Sequence, residues 1–160
     1  MKEIRVRIAD YAVTGEQALL TTTGLGSCVA IALHDAEAGV GGLAHVLLPS
    51  VALVRDSGNR AKFADTAVPL LLDEMRALGA RPERVRAKLA GGACMFAPLL
   101  PANGIAMGER NVLAARQALA AAGVPVVAQD VGGEHGRSVS LHLPDGRLVV
   151  TSLRHGHVVL

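Results

Sequence analysis

Hydrophobic positions along the chain recur with two distinct periods. Ile4, Val6 and Ile8 alternate with charged residues, the period-two pattern of a half-buried first strand. Residues 18–23 are β-prone and stop at Gly24. Residues 29–33 and 40–48 are apolar runs joined by Asp35-Ala36-Glu37-Ala38-Gly39, which predicts a β-hairpin with a longer loop. Beyond Asp65 the period lengthens. Val68, Leu71, Leu72, Met75 and Leu78 share a helical face, and Gly79 supplies the stop. Pro69 belongs in a first turn, so it limits where that helix begins. Residues 85–90 predict a strand that breaks at Gly91-Gly92. A second helix is expected over 109–122, with Val112, Ala115, Leu119 and Ala122 on one face. Residues 124–128 predict a strand, and 138–143 pairs with 147–153 across Pro144-Asp145-Gly146.

This order of elements predicts an α/β fold. Residues 1–160 form a single-domain sandwich in which a mixed or antiparallel sheet is covered by two main helices. Strand and helix do not alternate strictly, which argues against a doubly wound sheet. The chain carries no internal repeat, low-complexity segment or linker. Residues 50–62 look like a mobile loop and make a candidate lid.

Composition narrows the function classes. A length of 160 residues suits one domain, and 51% hydrophobic with 19% charged residues is a globular balance. Aromatics are only 2%, so the stacking platforms of single-strand nucleic-acid binders are missing. The net charge of +2 is spread out: Arg5, Arg7, Arg81, Arg84, Arg86 and Lys88 interleave with apolar residues or acids and read as solvated faces. No nucleic-acid partner is expected. No apolar run approaches the about 18 residues that a bilayer requires, and residues 1–10 lack the apolar core of a signal peptide. The expectation is a cytoplasmic protein without membrane insertion, in which Cys28 and Cys94 stay reduced.

The hairpin turns one of these thiols into a candidate. If residues 35–39 close the turn, residues whose numbers sum to 73 face one another, and Cys28 faces His45. Opposed residues on antiparallel strands share a face with Cβ atoms about 5 Å apart. A neighbouring imidazolium favours the thiolate of such a cysteine, and the histidine can later protonate a leaving amine. The shared face carries Ala30, Ala32, Gly41 and Leu43, small walls that would leave room for a substrate. A third group usually orients the imidazole, and Thr21, Thr22 and Thr23 are candidates just ahead of the glycine turn. The glycines before Cys28 would let backbone N–H groups approach an oxyanion. The competing reading makes Cys28 and His45 ordinary packed residues. Cys94 reads as a core or loop-base thiol, and His34, His135, His142, His155 and His157 as surface residues. A zinc site built from Cys28, Cys94 and His45 has no CxxC or HxxxH spacing behind it.

GLGSCVAIALHD followed by VGGLAHVLLP resembles the signature of the CheD family of chemoreceptor glutamine deamidases. ADYAVT, KFADTAVPLLLDEM, AKLAGGACMF, MGERNVLAARQAL and DVGGEHGRSV stand in the order that this family shows, so the resemblance covers nearly the whole chain. It implies Cys28 as nucleophile, His45 as general base and, six residues before the cysteine, Thr22 as the third member. It also implies hydrolysis of glutamine side-chain amides on methyl-accepting chemotaxis receptors through a thioester, with no metal and no cofactor. Members in some bacteria bind CheC, a regulatory partner. A non-catalytic module docking on CheC or on receptors is the alternative, although a pure adaptor needs no thiol in this register. Cys94 departs from the small polar residue usual at its position, and residues 97–103 also look idiosyncratic.

Overall fold

Ten strands and two α-helices are seen in the computed structural model, which describes residues 1–53, 58–95, 106–153 and 155–160. The strands are β1 Lys2–Arg5, β2 Tyr11–Thr14, β3 Ala18–Leu25, β4 Val29–Asp35, β5 Val40–Val46, β6 Arg86–Gly91, β7 Val126–Val131, β8 Arg137–His142, β9 Arg147–Ser152 and β10 Gly156–Val159. They build two five-stranded mixed sheets, ordered β1-β3-β8-β9-β10 and β2-β5-β4-β6-β7. The β1–β3 and β6–β7 pairs are parallel and the rest antiparallel. Helices α1 Ala64–Ala77 and α2 Met107–Ala121 complete the α/β sandwich.

Alternation on β4 sorts the side chains into two cores. Val29, Ile31 and Leu33 join Val68, Leu71 and Met75 of α1 and Val112, Ala115 and Leu119 of α2. Ala30 and Ala32 turn the other way, onto Leu20, Leu25, Val139, Leu141 and Val150 of the opposite sheet. The layer order is therefore helices, second sheet, first sheet. Because β4 lies in the middle layer, its run reads as continuously apolar.

Several expectations shift. β1 stops at Arg5, and Ile8 is exposed, because residues 7–10 turn away to meet other strands. β2 and β10 were not anticipated; each has four residues, and β10 is exposed throughout. Helix α1 begins at Ala64, so Pro69 lies inside it, on an exposed position, at the expense of one backbone bond. Arg84 and Lys88 do not sit on solvated faces. Arg84 pairs with Asp35 at 3.1 Å, and the Lys88 ammonium donates to the carbonyls of Gly146 and Leu160 at 2.9 and 2.8 Å. The residues proposed as a lid include short 3-10 turns at Val51–Leu53 and Arg60–Lys62, while 54–57 lie outside the described residues, as do 97–103.

The hairpin register also differs. Its closing pair is Asp35↔Val40, so Asp35 belongs to the strand and residues 36–39 form the loop. The Asp35 carboxylate explains this. It accepts the N–H groups of Glu37 and Ala38, both at 3.1 Å, and so shapes the turn from inside. Its other oxygen accepts the Arg81 N–H at 2.9 Å. Burial alone would raise the Asp35 pKa, but the Arg81 and Ala38 amides and the Arg84 guanidinium outweigh it and hold the group below its ordinary 3.8. A carboxylate with a depressed folded pKa stabilises the fold above the unfolded value and loses that contribution as pH falls through the folded one. Asp35→Asn should therefore cost about 2–4 kcal/mol in urea unfolding at pH 7. The difference from wild type should shrink below about pH 4; a pH-independent difference would exclude the carboxylate as its cause.

Candidate active site

Pairing in the β4–β5 hairpin follows residue numbers that sum to 75, with Ala30↔His45 directly opposed. Cys28, immediately before β4, is thus a diagonal neighbour of His45 rather than its direct partner. A slip of two residues preserves the face, because side chains alternate with period two. Diagonal positions lie about 7 Å apart, within reach of long side chains. Cys28 and His45 therefore still turn to the same side, the space between the sheets, where Cys28 is 6% exposed and His45 fully buried.

The third residue arrives from the other sheet. Thr22, on β3, is 1% exposed, and its Oγ1 lies 2.7 Å from Nδ1 of His45 and 2.6 Å from the Val6 carbonyl oxygen. A carbonyl oxygen can only accept, so the single hydroxyl proton goes to Val6. Thr22 must then accept from His45, which fixes the proton on Nδ1 and leaves Nε2 as the basic nitrogen. Nε2 is buried and has no hydrogen-bond partner among the described residues. The backbone of His45 is held as well, its N–H donating to Asp10 O at 3.0 Å and its carbonyl accepting Ala9 N–H at 2.9 Å. Val6 still bonds β3 through its N–H to Thr21 O at 2.7 Å; residues 7–10 leave the first sheet for these contacts, and Ala9 adopts a left-handed φ of 61° there. Of the three candidate threonines, the geometry selects Thr22; Thr21 pairs with Glu3 at the surface, at 3.2 Å.

Burial sets the charge state of the pair. It pushes the Cys28 thiol above its ordinary 9.0, opposed by the residue's own backbone N–H, and lowers His45 below 6.5. Both shifts favour a neutral thiol and a neutral imidazole, with no hydrogen bond between Nε2 and the sulfur, over the thiolate–imidazolium expected from sequence. A buried charge pair costs several kcal/mol of desolvation, and here no carboxylate sits at Nδ1 to offset it. The chemistry this arrangement allows is general-base activation at the moment of attack.

The small residues on this face serve another purpose than the one expected. A Cβ at Gly41 would collide with Leu143, in the turn just past β8. Gly41, Ala30 and Ala32 are small so that the sheets can close, and beside Ala32 a cavity of about 190 Å³ remains that neither Cys28 nor His45 lines. A larger open space lies by the glycine turn. A groove of about 1010 Å³ is lined by Gly24, Met95, Gly133, His135, Ser138 and Leu153, among others. The Met95 sulfur lies against Gly26, two residues from Cys28.

Other candidates separate from the centre. Cys94 is half-buried and its N–H donates to Gly133 O at 2.9 Å. Among the described residues, no group of three or more His, Cys, Asp or Glu could hold a metal ion. His34 is half-buried beneath Gly146, not a surface residue, and the His135 and His155 rings meet at 4.2 Å, tilted by 48°. Sequence reasoning missed two buried polar residues near the centre, Asn111 and Arg137. Arg137 ties Gly91 O and Gly132 O to Asp130. Their only signal was a polar residue at a position that the periodicity makes apolar.

Comparison with known proteins places this geometry in a family. The model described as CheD chemotactic sensory transduction matches residues 47–152. A Caldanaerobacter subterraneus protein named "Probable chemoreceptor glutamine deamidase CheD" is 46% identical over 97% of this chain and 96% of its own. The chain belongs to the CheD family. Relatives with the same printed name come from Haloarcula marismortui, 46% identical over 99% of this chain and 90% of that one, and Pyrococcus horikoshii, 43% over 99% and 98%. The family match begins just past His45, so it speaks for the fold and not for the three site residues. Among solved structures, a Neisseria meningitidis protein of the DUF152 family is similar in fold, with a TM-score of 0.52 at 15% identity over 84% of this chain and 65% of that one.

One consequence of the Thr22 contact can be read directly. Long-range proton–nitrogen NMR spectra at pH 7 should show His45 as a neutral ring protonated on Nδ1. Thr22→Val should release that tautomer preference. An imidazolium at pH 7 in the wild type would contradict the neutral pair.

Proposed function

We propose that this chain is a protein-glutamine deamidase acting on methyl-accepting chemotaxis receptors, with residues 1–160 as its deamidase domain and the cytoplasm as its compartment. The observation that carries the reading is the Thr22–His45 contact at 2.7 Å, which leaves Nε2 basic on the face shared with Cys28. Among the described residues, no helix is long and apolar enough to cross a membrane. CheC, where the organism has one, is the proposed regulatory partner.

The reaction follows from the protonation states. As the Cys28 sulfur attacks the glutamine carboxamide carbon, His45 Nε2 takes the thiol proton and the carbonyl oxygen becomes an oxyanion. Backbone N–H groups of Ser27 and Cys28 would meet that charge, since the Gly26 N–H is committed to Gly24 O at 3.1 Å; the turn that presents them is held by its carbonyls, Gly26 O with Ala93 N–H at 2.9 Å, Ser27 O with Asn111 at 2.9 Å and Cys28 O with Gly92 N–H at 2.8 Å. Collapse of the intermediate breaks the C–N bond, and His45 gives its proton to the departing ammonia. A thioester remains. Water, deprotonated by His45, attacks it; the glutamate carboxylate leaves and the thiolate recovers the proton. Thr22 keeps Nε2 aimed throughout, its hydroxyl polarised by the Val6 carbonyl. Neither a metal nor an organic cofactor enters the sequence of steps.

Mass spectrometry of receptor cytoplasmic fragments should show glutamine converted to glutamate by the wild type and no conversion by Cys28→Ala. Conversion that survives Cys28→Ala would end the proposed mechanism, and tight receptor binding without conversion by either protein would favour an adaptor. Thr22→Val should lower kcat by about 10²-fold, with KM nearly unchanged. The pH profile follows from the two shifts. Protonation of His45 removes the base, so kcat/KM should fall only as pH drops below 6.5, and an alkaline limb should lie above 9.0. An acid limb well above 6.5 would mean that His45 rests charged.

A further inference from the structure

Helix α2 carries a polar residue where its periodicity calls for an apolar one. Asn111 is fully buried, beside Val112 and Ala115 on the face that packs into the core. Asparagine is a poor helix former, and an amide taken out of water is costly unless it is hydrogen-bonded. A leucine would fill the same space without either cost. What distinguishes the amide is its contacts. Nδ2 donates to Ser27 O at 2.9 Å and to Leu47 O at 3.1 Å, on two different chain segments.

Those segments are the open ends of the β4–β5 hairpin. The backbone ladder stops at Val29↔Val46, and continuing the same register places residue 28 opposite residue 47. The Asn111 amide stands where the next rung would be, bonded to one carbonyl on each side. Ser27 immediately precedes Cys28, and Leu47 follows His45 by two residues. A splaying of the strands at this end would widen the diagonal gap between sulfur and imidazole before disturbing anything else in the hairpin.

The helix is itself fixed against the same turn. A Cβ at Gly108 would run into the carbonyl oxygens of Gly92 and Ala93, so the first turn of α2 lies in backbone contact with residues 92 and 93. These residues in turn donate to Cys28 O and Gly26 O. Helix α2 thus supports the nucleophile turn twice, through a backbone platform and through one side chain. The amide Oδ1 is buried and has no partner among the described residues, so only the donor side of Asn111 engages the protein.

We propose that Asn111 is a positioning residue for the deamidation, a side-chain rung that sets the separation of the Cys28 sulfur from the His45 imidazole across the open end of the hairpin. It touches neither group and acts through Ser27 and Leu47. The inference rests on the catalytic reading of Cys28 and His45.

The test uses the full chain carrying Cys94→Ala, so that Cys28 is the single thiol. Iodoacetamide alkylation is followed by intact mass across pH, and kcat and KM are measured on receptor fragments. In this background, general-base assistance by His45 should give alkylation a low, pH-independent plateau near pH 7 that His45→Ala abolishes. Asn111→Leu, which conserves volume, should lower that plateau by about tenfold and kcat by about 10–100-fold, while KM stays within about twofold. Its alkaline alkylation rate should remain that of the parent. Asn111→Ser, which keeps one short donor and a small side chain, should fall between the two and carries the test if the leucine variant does not fold. A folded Asn111 variant with the parental plateau and kcat would overturn the assignment, as would a rise in KM at unchanged kcat. A parental profile identical to that of His45→Ala would overturn the Cys28–His45 pair itself, and this inference with it.

Discussion

The hydrogen bond between Thr22 and His45 joins the two sheets at the proposed centre. The imidazole belongs to the middle layer and its orienting hydroxyl to the outer sheet, so neither sheet alone holds a defined base. The bond also fixes a proton. With the Thr22 hydrogen committed to the Val6 carbonyl, the ring has one tautomer open to it. Much of the surrounding architecture serves that contact: Val6 held against β3, the departure of residues 7–10 with the left-handed Ala9, and the small side chains that let the sheets approach.

A hydroxyl in this place behaves differently from a carboxylate. A carboxylate would favour an imidazolium and, through it, a resting thiolate. Thr22 brings no charge, and burial acts on Cys28 and His45 in opposite senses to leave both neutral. A neutral resting pair has little intrinsic reactivity and depends on the substrate being held in line, which places the demand on geometry rather than on pKa. This is where the three engaged carbonyls of residues 26–28 matter.

The sequence carried the alternation of the strands, both helices and the pairing of a cysteine with a histidine across a hairpin. It misplaced the register by two residues, because Asp35 looked like a turn residue and its role as a buried acceptor for four donors depends on Arg81 and Arg84, some fifty residues away. The error left Cys28 and His45 on one face, since a two-residue slip returns every side chain to its side. Thr22 could not be told from Thr21 or Thr23 by pattern; only contact with the other sheet separates them. The small residues around the site were visible, but not what fills the space they leave. Asn111 and Arg137 were hidden for a similar reason, as their partners are backbone carbonyls that carry no sequence signal.

The division of the centre between two sheets has a consequence for the history of each molecule. Cys28 and His45 come together through a local hairpin, a contact of short sequence separation that forms early and quickly. Thr22 reaches His45 only when the outer sheet, whose strands come from both ends of the chain, has docked. Until then the imidazole is free to rotate and to shift its proton. On the proposed mechanism, a chain whose outer sheet has not docked lacks an oriented base.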